Sequence, residues 1–305
     1  MNPSSIIHIA MNIDSRYVRF CSVTLASIFE NNRDESFFIH IICNGLSSED
    51  EAKLIRLTEA YHAKIHFYVP DEKLLEGFAI RKFSKRISIA TYYRCFLADV
   101  LPLEVERVIY LDCDILVLGQ LRPLWNSDLR GKGIAVVRDV AASEAKRYEI
   151  LHYPLEYSYF NAGVFLADLG YWRGMDVTEQ SIKLYHEHPE RIIFNDQDIL
   201  NILFCDKKME VAEKWNMQDG FYRRKRTDGM SIQERDLREP VILHFTNRKP
   251  WEYDNQHPLR SLFFTYQNFT EWKDVTPFNA WGCIKRFFRL LPFYLHLRKP
   301  KYIKF

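Results

Sequence analysis

The sequence lacks the glycine-rich loops with which two common classes of α/β enzyme bind phosphates. No G-x-G-x-x-G follows the first predicted strand, and no G-x-x-x-x-G-K-[ST] occurs anywhere in the chain. Both loops bring backbone N–H groups against a phosphate, which requires glycine at fixed spacing. A dinucleotide-dependent dehydrogenase and a P-loop kinase are therefore disfavoured.

Long hydrophobic runs and paired cysteines are also absent. No window approaches the roughly 20 apolar residues that span a bilayer, and the apolar stretch 6–11 is too short for a signal peptide. The six cysteines show neither paired nor C-x-x-C spacing, which suits reduced, buried thiols better than disulfides or a zinc site. These absences predict a soluble, cytoplasmic protein.

Charge of one sign does not dominate the chain as a whole. The formal net charge is +2 and hydrophobic residues make up 47%, which indicates a globular protein and argues against a dedicated nucleic-acid-binding protein. Basic residues are nevertheless concentrated at the end, because residues 285–305 hold seven Lys or Arg and no acidic residue. The end of the chain is chemically distinct from the rest.

The first third of the chain alternates between predicted strands and helices. Strands are expected at 6–11, 37–43 and 64–69, with helices over 17–30 and from the cap Ser47 to residue 62. This order predicts a parallel, doubly wound sheet with right-handed crossovers. Further strands are expected at 108–112, 133–138, 160–168 and 241–245, and further helices at 89–99, 171–188, 196–204 and 259–269. Since no Pro/Gly-rich linker interrupts the pattern, we expect one main domain over 1–275 and a C-terminal appendage over 276–305.

The most informative motif is an apolar strand that ends on Asp112, Cys113 and Asp114. Side chains alternate in an extended segment, so Asp112 and Asp114 are expected to point the same way and to bind one hard cation together. An acidic pair of this kind can instead cap a turn. Because ligands of open α/β sheets bind outside the carboxyl ends of the strands, a cation here could hold a diphosphate.

Several sequence blocks resemble the family 8 retaining glycosyltransferases, and within them the bacterial lipopolysaccharide galactosyl- and glucosyltransferases. The blocks stand in the family order over about residues 6–251 and are Ile9-Ala10-Met11-Asn12-Ile13-Asp14 with Tyr17, Asp112-Cys113-Asp114, Phe160-Asn161-Ala162-Gly163-Val164, 195–201 and 244–251. The resemblance implies an α/β fold of GT-A type, with a Rossmann-like nucleotide-binding mixed sheet flanked by helices. It also implies transfer of glucose or galactose from a UDP-sugar to a lipopolysaccharide core acceptor with an α linkage.

The resemblance further implies a metal site. Asp112, Asp114 and His244 would bind Mn²⁺, with Mg²⁺ also possible, and so neutralise the leaving diphosphate. A histidine at a strand end is more often structural, but His244 stands before Lys249-Pro250-Trp251, where Lys249 resembles the β-phosphate contact. The chain departs from the family at Asn247, where relatives usually have Gly, and in a loop that is one residue shorter.

The remaining donor and catalytic residues are also implied by the resemblance. Asp196 and Gln197 would bracket the anomeric carbon as the catalytic pair, although Asn195 or Asp196 could equally cap a helix. Gln197 lacks the charge of a carboxylate nucleophile, so we expect a front-face mechanism. Tyr17 is expected to stack on uracil. The full set of implied donor contacts is Ala10, Asn12, Asp14, Tyr17, Arg94, Asp112, Cys113, Asp114, Asn161, Ala162, Asp196, Gln197, His244, Asn247 and Lys249.

The segment from Trp281 places aromatic and aliphatic residues at helical spacing among basic ones. Such a helix can lie in the headgroup layer of a membrane, here the cytoplasmic face of the bacterial inner membrane near a lipid-linked oligosaccharide acceptor. Packing of this helix on the domain is the alternative. Pro292 is expected to kink the helix, and residues 299–305 are expected to be too basic for the core.

Two other functions stay open at this point. A phosphohydrolase could use Asp112 as an aspartyl nucleophile and Asp114 as the acid, although that scheme leaves His244 and Lys249 unused. A non-catalytic sugar-nucleotide-binding protein at a membrane surface is the other. In the transferase reading, the acceptor is expected to be selected by the loops 141–159 and 215–239.

Overall fold

The computed structural model describes residues 6–80, 88–140, 145–224, 232–276 and 279–303. Within these ranges the strands are β1 (Ile7–Ile13), β2 (Phe37–Cys43), β3 (Lys64–Tyr68), β4 (Arg107–Leu111), β5 (Ile115–Val117), β6 (Ile134–Arg138), β7 (Phe160–Asp168), β8 (Lys208–Glu210), β9 (Met217–Gln218) and β10 (Ile242–His244). The α-helices are α1 (Val18–Glu30), α2 (Ser48–Ala60), α3 (Leu97–Val100), α4 (Arg122–Trp125), α5 (Ala145–Leu151), α6 (Leu169–Gly174), α7 (Val177–Glu187), α8 (Asp196–Phe204), α9 (Glu234–Arg238), α10 (Arg260–Gln267) and α11 (Ala280–Tyr294).

The described strands form a seven-stranded sheet of order β3-β2-β1-β4-β7-β6-β8 and a three-stranded sheet of order β5-β10-β9. The first four strands of the large sheet are parallel, whereas β7 runs antiparallel to both β4 and β6. The predicted parallel opening and the mixed α/β sheet are therefore confirmed. Ser47 also caps α2 as expected, because its side chain accepts a hydrogen bond from the Asp50 backbone.

The core lies on both faces of the large sheet because successive side chains of a strand alternate between faces. In β1, Ile9 and Met11 pack into one cluster with α1, and Ala10 packs into the other with Phe96. Both faces are covered, so most positions within the central strands are apolar, and polar groups that must reach solvent lie at the strand ends. The free thiols are mostly buried, as predicted, but Cys283 is exposed.

Some local predictions differ from the structure. The helix expected at 171–188 is two helices, because Asp176 adopts a left-handed conformation with φ of 51° between α6 and α7. The helix expected at 89–99 is a 3-10 helix over Ile89–Phe96 followed by the single turn α3. Strands β5, β8 and β9 have only two or three residues, too few for a period of two to be visible in the sequence.

The C-terminal segment is helical, as predicted, but it is anchored to the domain. Among the described residues, no helix is long and apolar enough to cross a membrane. Tyr302 is only 6% exposed and belongs to the main core cluster, where its hydroxyl donates to Asp219 at 2.8 Å. The expectation that residues 299–305 stay out of the core is therefore wrong for Tyr302, because an aromatic ring with a buried hydrogen-bond acceptor can be buried among basic neighbours.

Candidate active site

A cleft of about 340 Å³ opens at the carboxyl ends of β1, β4 and β10. Most of the predicted site residues line it, namely Asn12, Asp14, Tyr17, Arg94, Asp112, Cys113, Asp114, Asn161, Asp196, Gln197, His244 and Lys249. The structure does not bring the other three to its surface. Ala10 and Ala162 are buried inside β1 and β7, and Asn247 is exposed beyond β10.

The two aspartates meet a histidine from a distant part of the chain. Asp112, Asp114 and His244 each offer a ligand atom, and these atoms lie within 4.8 Å of one another. His244 Nε2 is 3.2 Å from Asp114 Oδ1 and 4.0 Å from Asp112 Oδ2. The pairing of β10 with β5 causes this, since it sets His244 opposite Ile115, the residue after Asp114. The carboxylates converge as predicted, but on a turn between β4 and β5 rather than by strand alternation.

Asn216 selects the tautomer of His244. Its Nδ2 donates to Asn161 Oδ1 at 2.9 Å, so its own Oδ1 is the atom that faces His244 Nδ1, also at 2.9 Å. This network places a proton on Nδ1, so that in the neutral ring Nε2 carries the lone pair, which is the arrangement of a metal-binding imidazole. Asn216 is fully buried and was not predicted; the available signal was a polar residue between the apolar Trp215 and Met217.

The donor atoms fit a divalent cation. Asp114 Oδ1 is enclosed and accepts no hydrogen bond from the described residues, yet the lone pair of His244 Nε2 faces it at 3.2 Å. Burial opposes ionisation of Asp114, but the adjacent ammonium of Lys249 outweighs it and holds the pKa of this carboxyl well below its usual range. Two carboxylates and one imidazole suit Mn²⁺ or Mg²⁺.

Lys249 lies beside this cluster. Its ammonium contacts Asp114 Oδ2 and donates to the Phe245 carbonyl at 2.8 Å. The short loop after β10 therefore still delivers Lys249 to the cleft. A positive charge next to the candidate cation site favours an anionic ligand there.

Arg94 holds two carboxylates of the cleft at once. Its Nη2 is 2.9 Å from Asp112 Oδ1 and its Nε is 2.9 Å from Asp196 Oδ2, while its Nη1 donates to the Ala162 carbonyl at 2.8 Å. Thr91 donates to the other oxygen of Asp196 at 2.6 Å. Asp112 and Asp196 are thereby fixed relative to each other, and Oδ2 of Asp112 is left on the side of His244.

Gln197 is held by its whole amide group. Its Oε1 accepts from the Ala162 backbone at 3.1 Å and from Asn161 Nδ2 at 3.2 Å, and its Nε2 donates to Asp139 Oδ2 at 3.0 Å. Asp139 was not predicted, although it follows the buried strand β6 as Asp112 follows β4. Asn195 makes no side-chain cap for α8, and its Oδ1 accepts from Tyr92 instead.

Replacing Asn216 with alanine is expected to weaken metal binding by about 10- to 100-fold, the usual cost of losing the partner that orients a ligating histidine. Without Asn216, no other residue in the described ranges is seen to accept from Nδ1 of His244 and so select this tautomer. Manganese titration followed by electron paramagnetic resonance measures the change. The exposed Asn126→Ala is the control, and an unaltered affinity in folded Asn216→Ala protein would contradict this role.

Comparison with known proteins gives relatives over most of the chain. General stress protein A of Bacillus subtilis is 29% identical over 284 residues, which cover 90% of this chain and 98% of that protein. Lipopolysaccharide 1,3-galactosyltransferase of Salmonella typhimurium is 29% identical over 280 residues, covering 89% of this chain and 81% of that protein. The galactosyltransferase LgtC, solved with donor and acceptor sugar analogues, superposes with a TM-score of 0.77 at 23% identity, covering 88% of this chain and 99% of that chain.

These comparisons confirm the GT-A type fold and support neither alternative function. The aspartyl-nucleophile scheme of a phosphohydrolase gives His244 and Lys249 no role, whereas both residues contact Asp114 here. The model of the family described as glycosyl transferase family 8 matches residues 8–255. The match covers both predicted aspartates, Gln197 and His244. The chain therefore belongs to glycosyl transferase family 8.

Proposed function

We propose that this protein is a metal-dependent, retaining hexosyltransferase that moves glucose or galactose from a UDP-sugar to a lipopolysaccharide core acceptor, forming an α linkage. One observation carries the proposal: Asp112, Asp114 and His244 converge beside Lys249 in the cleft that also holds Gln197. The named functions of relatives support the acceptor class, since lipopolysaccharide galactosyl- and glucosyltransferases are among them.

The nucleoside end of the donor is assigned to Asn12 and Tyr17. Asn12 Oδ1 is enclosed and has no hydrogen-bond donor among the described residues, while its Nδ2 donates to the Ala90 carbonyl at 3.4 Å. An unpartnered buried acceptor favours a ligand that brings an N–H group, and the imide of uracil has one. Tyr17 lines the same part of the cleft, with its ring edge-on to Trp251.

The diphosphate is assigned to the adjoining wall, where Cys113 lies against the Asn12 carbonyl at 3.6 Å. A cation held by Asp112, Asp114 and His244 would supply positive charge where negative charge develops on the leaving oxygens. Lys249 adds a fixed ammonium next to Asp114. The carboxylates at this wall would otherwise repel a diphosphate, so the basic groups alone do not make an anion site.

The sugar end is assigned to Asp196, Gln197 and Asn161. Arg94 and Thr91 hold the Asp196 carboxylate, and three hydrogen bonds hold the Gln197 amide, so neither side chain is placed to swing as a nucleophile. A fixed neutral amide suits a front-face reaction, in which Gln197 supports an oxocarbenium-like state. In that reaction the leaving diphosphate takes the acceptor proton.

A panel of nucleotide sugars tests the proposal. UDP-glucose, UDP-galactose and the corresponding GDP-sugars are incubated with the protein, with and without Mn²⁺, and released nucleoside diphosphate is measured. We expect slow manganese-dependent release of UDP from one hexose donor and none from the GDP-sugars. If no donor released nucleoside diphosphate and simple phosphate esters were hydrolysed instead, the protein would be a phosphohydrolase and not a transferase.

We also propose that α11 holds the protein on the cytoplasmic face of an anionic membrane. Trp281, Phe287 and Phe288 are 61%, 57% and 65% exposed, and Lys285 and Arg289 lie on the same helix. Exposed aromatic rings among cations are typical of helices that lie in a headgroup layer. A lipid-linked acceptor would then be within reach of the cleft.

Replacing Trp281, Phe287 and Phe288 with serine is expected to weaken binding to phosphatidylglycerol-containing vesicles by at least about 100-fold, because three rings lose their insertion into the interface. Vesicle co-sedimentation measures this. These changes leave the buried Tyr302 in place, so donor hydrolysis should be unaffected. The exposed Phe269→Ser is the matched control, and undiminished vesicle binding by the triple variant would show that α11 serves the fold alone.

A further inference from the structure

Arg147, in helix α5, is a buried guanidinium that the site described above does not use. The residue is 9% exposed. Its guanidinium carbon lies 3.6 Å from the ring centre of Phe194 and 4.4 Å from that of Tyr159. Cation–π contacts at these distances stabilise the group and hold it in one place. Arg147 is therefore positioned before any ligand arrives.

The guanidinium of Arg147 has N–H donors available for a ligand. Its N–H groups make no hydrogen bond or ion pair with the residues that the structure describes. Asp198 supplies a compensating negative charge nearby, but its oxygens already accept from Tyr159 Oη at 2.6 Å, Ile193 N at 2.7 Å and Phe194 N at 2.5 Å. No nitrogen of Arg147 is among the enclosed, unpartnered polar atoms. The guanidinium nitrogens of this largely buried residue therefore keep some exposure to solvent.

The position of Arg147 connects it to the reaction. Phe194 itself lines the catalytic cleft and directly precedes Asn195, Asp196 and Gln197, which line it too. Arg147 thus packs on a ring of the cleft wall, next in sequence to the residues assigned to the sugar end, although Arg147 does not itself line the cleft. It also falls within the loop 141–159 that the sequence predicts to select the acceptor.

We propose that Arg147 binds an anionic group, a phosphate or a carboxylate, on the acceptor sugar and makes charged acceptors the preferred ones. The inference rests on the proposed transferase function. The planar fork of arginine matches both anions with two parallel hydrogen bonds, and a neutral sugar offers no such partner. Because the guanidinium is already seated on aromatic rings, little side-chain freedom is lost on binding.

Binding of three sugars that differ at one carbon tests the proposal. Galactose, galactose 6-phosphate and galacturonate are titrated by NMR into protein saturated with UDP and Mn²⁺, which keeps the anions out of the donor site. We expect the wild type to bind at least one anionic sugar about tenfold more tightly than galactose, as a charge-assisted bidentate contact would give. A preference for the phosphate alone, or for both anions, identifies the group that is recognised.

Variants separate the role of Arg147 from that of its fold. R147M should lose the anionic preference and keep the affinity for galactose, whereas R147K should recover part of the preference through its charge. R33M, which alters an exposed arginine at the other end of α1 from the cleft, should behave as the wild type. Melting temperatures of all variants show whether each is folded.

Equal affinity of the wild type for the three sugars, or no measurable affinity for any, overturns the proposal. So does an anionic preference that survives in R147M. Titration of UDP and Mn²⁺ beforehand reports on the donor site alone, so a failure of the proposed function appears there as absent UDP binding. In that case the three sugars are titrated without nucleotide, and the same comparison between wild type and R147M decides about Arg147.

Discussion

Asp114→Ala protein is expected to release UDP from its hexose donor at least about 10³-fold more slowly than the wild type, the upper range for removal of one contact to a developing charge. The change removes a proposed metal ligand and also the carboxylate that faces the buried ammonium of Lys249. Both losses act on the same wall of the cleft. Steady-state release of UDP at saturating Mn²⁺ measures the effect.

Two controls keep this result interpretable. Asp34→Ala removes an exposed carboxylate at the other end of the sheet and should leave the rate unchanged. Asp114→Asn keeps the volume of the side chain, so a folded, inactive Asp114→Asn protein separates the loss of charge from a packing defect. Turnover that persists at the wild-type rate in both Asp114 variants would remove the metal cluster from the mechanism.

A single methyl group at Gly163 is expected to lower activity by at least ~100-fold, the scale of a misplacement of about 1 Å at a reacting centre. A Cβ at this position would overlap His244 Cε1 and lie 2.7 Å from Asp112 Oδ2. The backbone cannot yield easily, because Gly163 lies in the middle of β7 and its carbonyl accepts from Asp112 N at 2.9 Å. His244 and Asp112 must therefore move apart.

Manganese titration and UDP release both report on Gly163→Ala. Gly174→Ala is the matched control, since a Cβ there would meet no atom within 4 Å. We expect Gly174→Ala to match the wild type in both measurements. A Gly163→Ala protein with wild-type manganese affinity would show that the cluster tolerates displacement and that glycine is present for another reason.

The sequence predicts the fold well where the pattern is local. Alternating apolar strands and helices over residues 6–69 indicate a parallel sheet, and the sheet is parallel there. The resemblance to family 8 predicts that Asp112, Gln197 and His244 share one site, although they are distant in the sequence. The cleft contains all three. Their roles in the reaction stay predictions.

The parts that sequence reasoning missed depend on contacts between distant segments. Asn216 acquires its role only because β9 pairs with β10 and brings it beside His244. Asp139 meets Gln197 across 58 positions of the chain. Asp112 and Asp114 converge as expected, but for a different reason. The two carboxylates lie on the turn between β4 and β5, and the pairing of β10 with β5 brings His244 to them.

The C-terminal helix α11 is tied to the domain at two points, one within the helix and one beyond its end. Arg286 Nη1 donates to the Tyr253 and Asn255 carbonyls at 2.7 and 3.0 Å, and beyond the helix Tyr302 is held by Asp219. A segment that is attached to the domain at two points cannot rotate freely about either attachment or extend away from the domain. A surface that binds α11 therefore sets the orientation of the whole domain relative to that surface. It also sets the distance between the surface and the cleft.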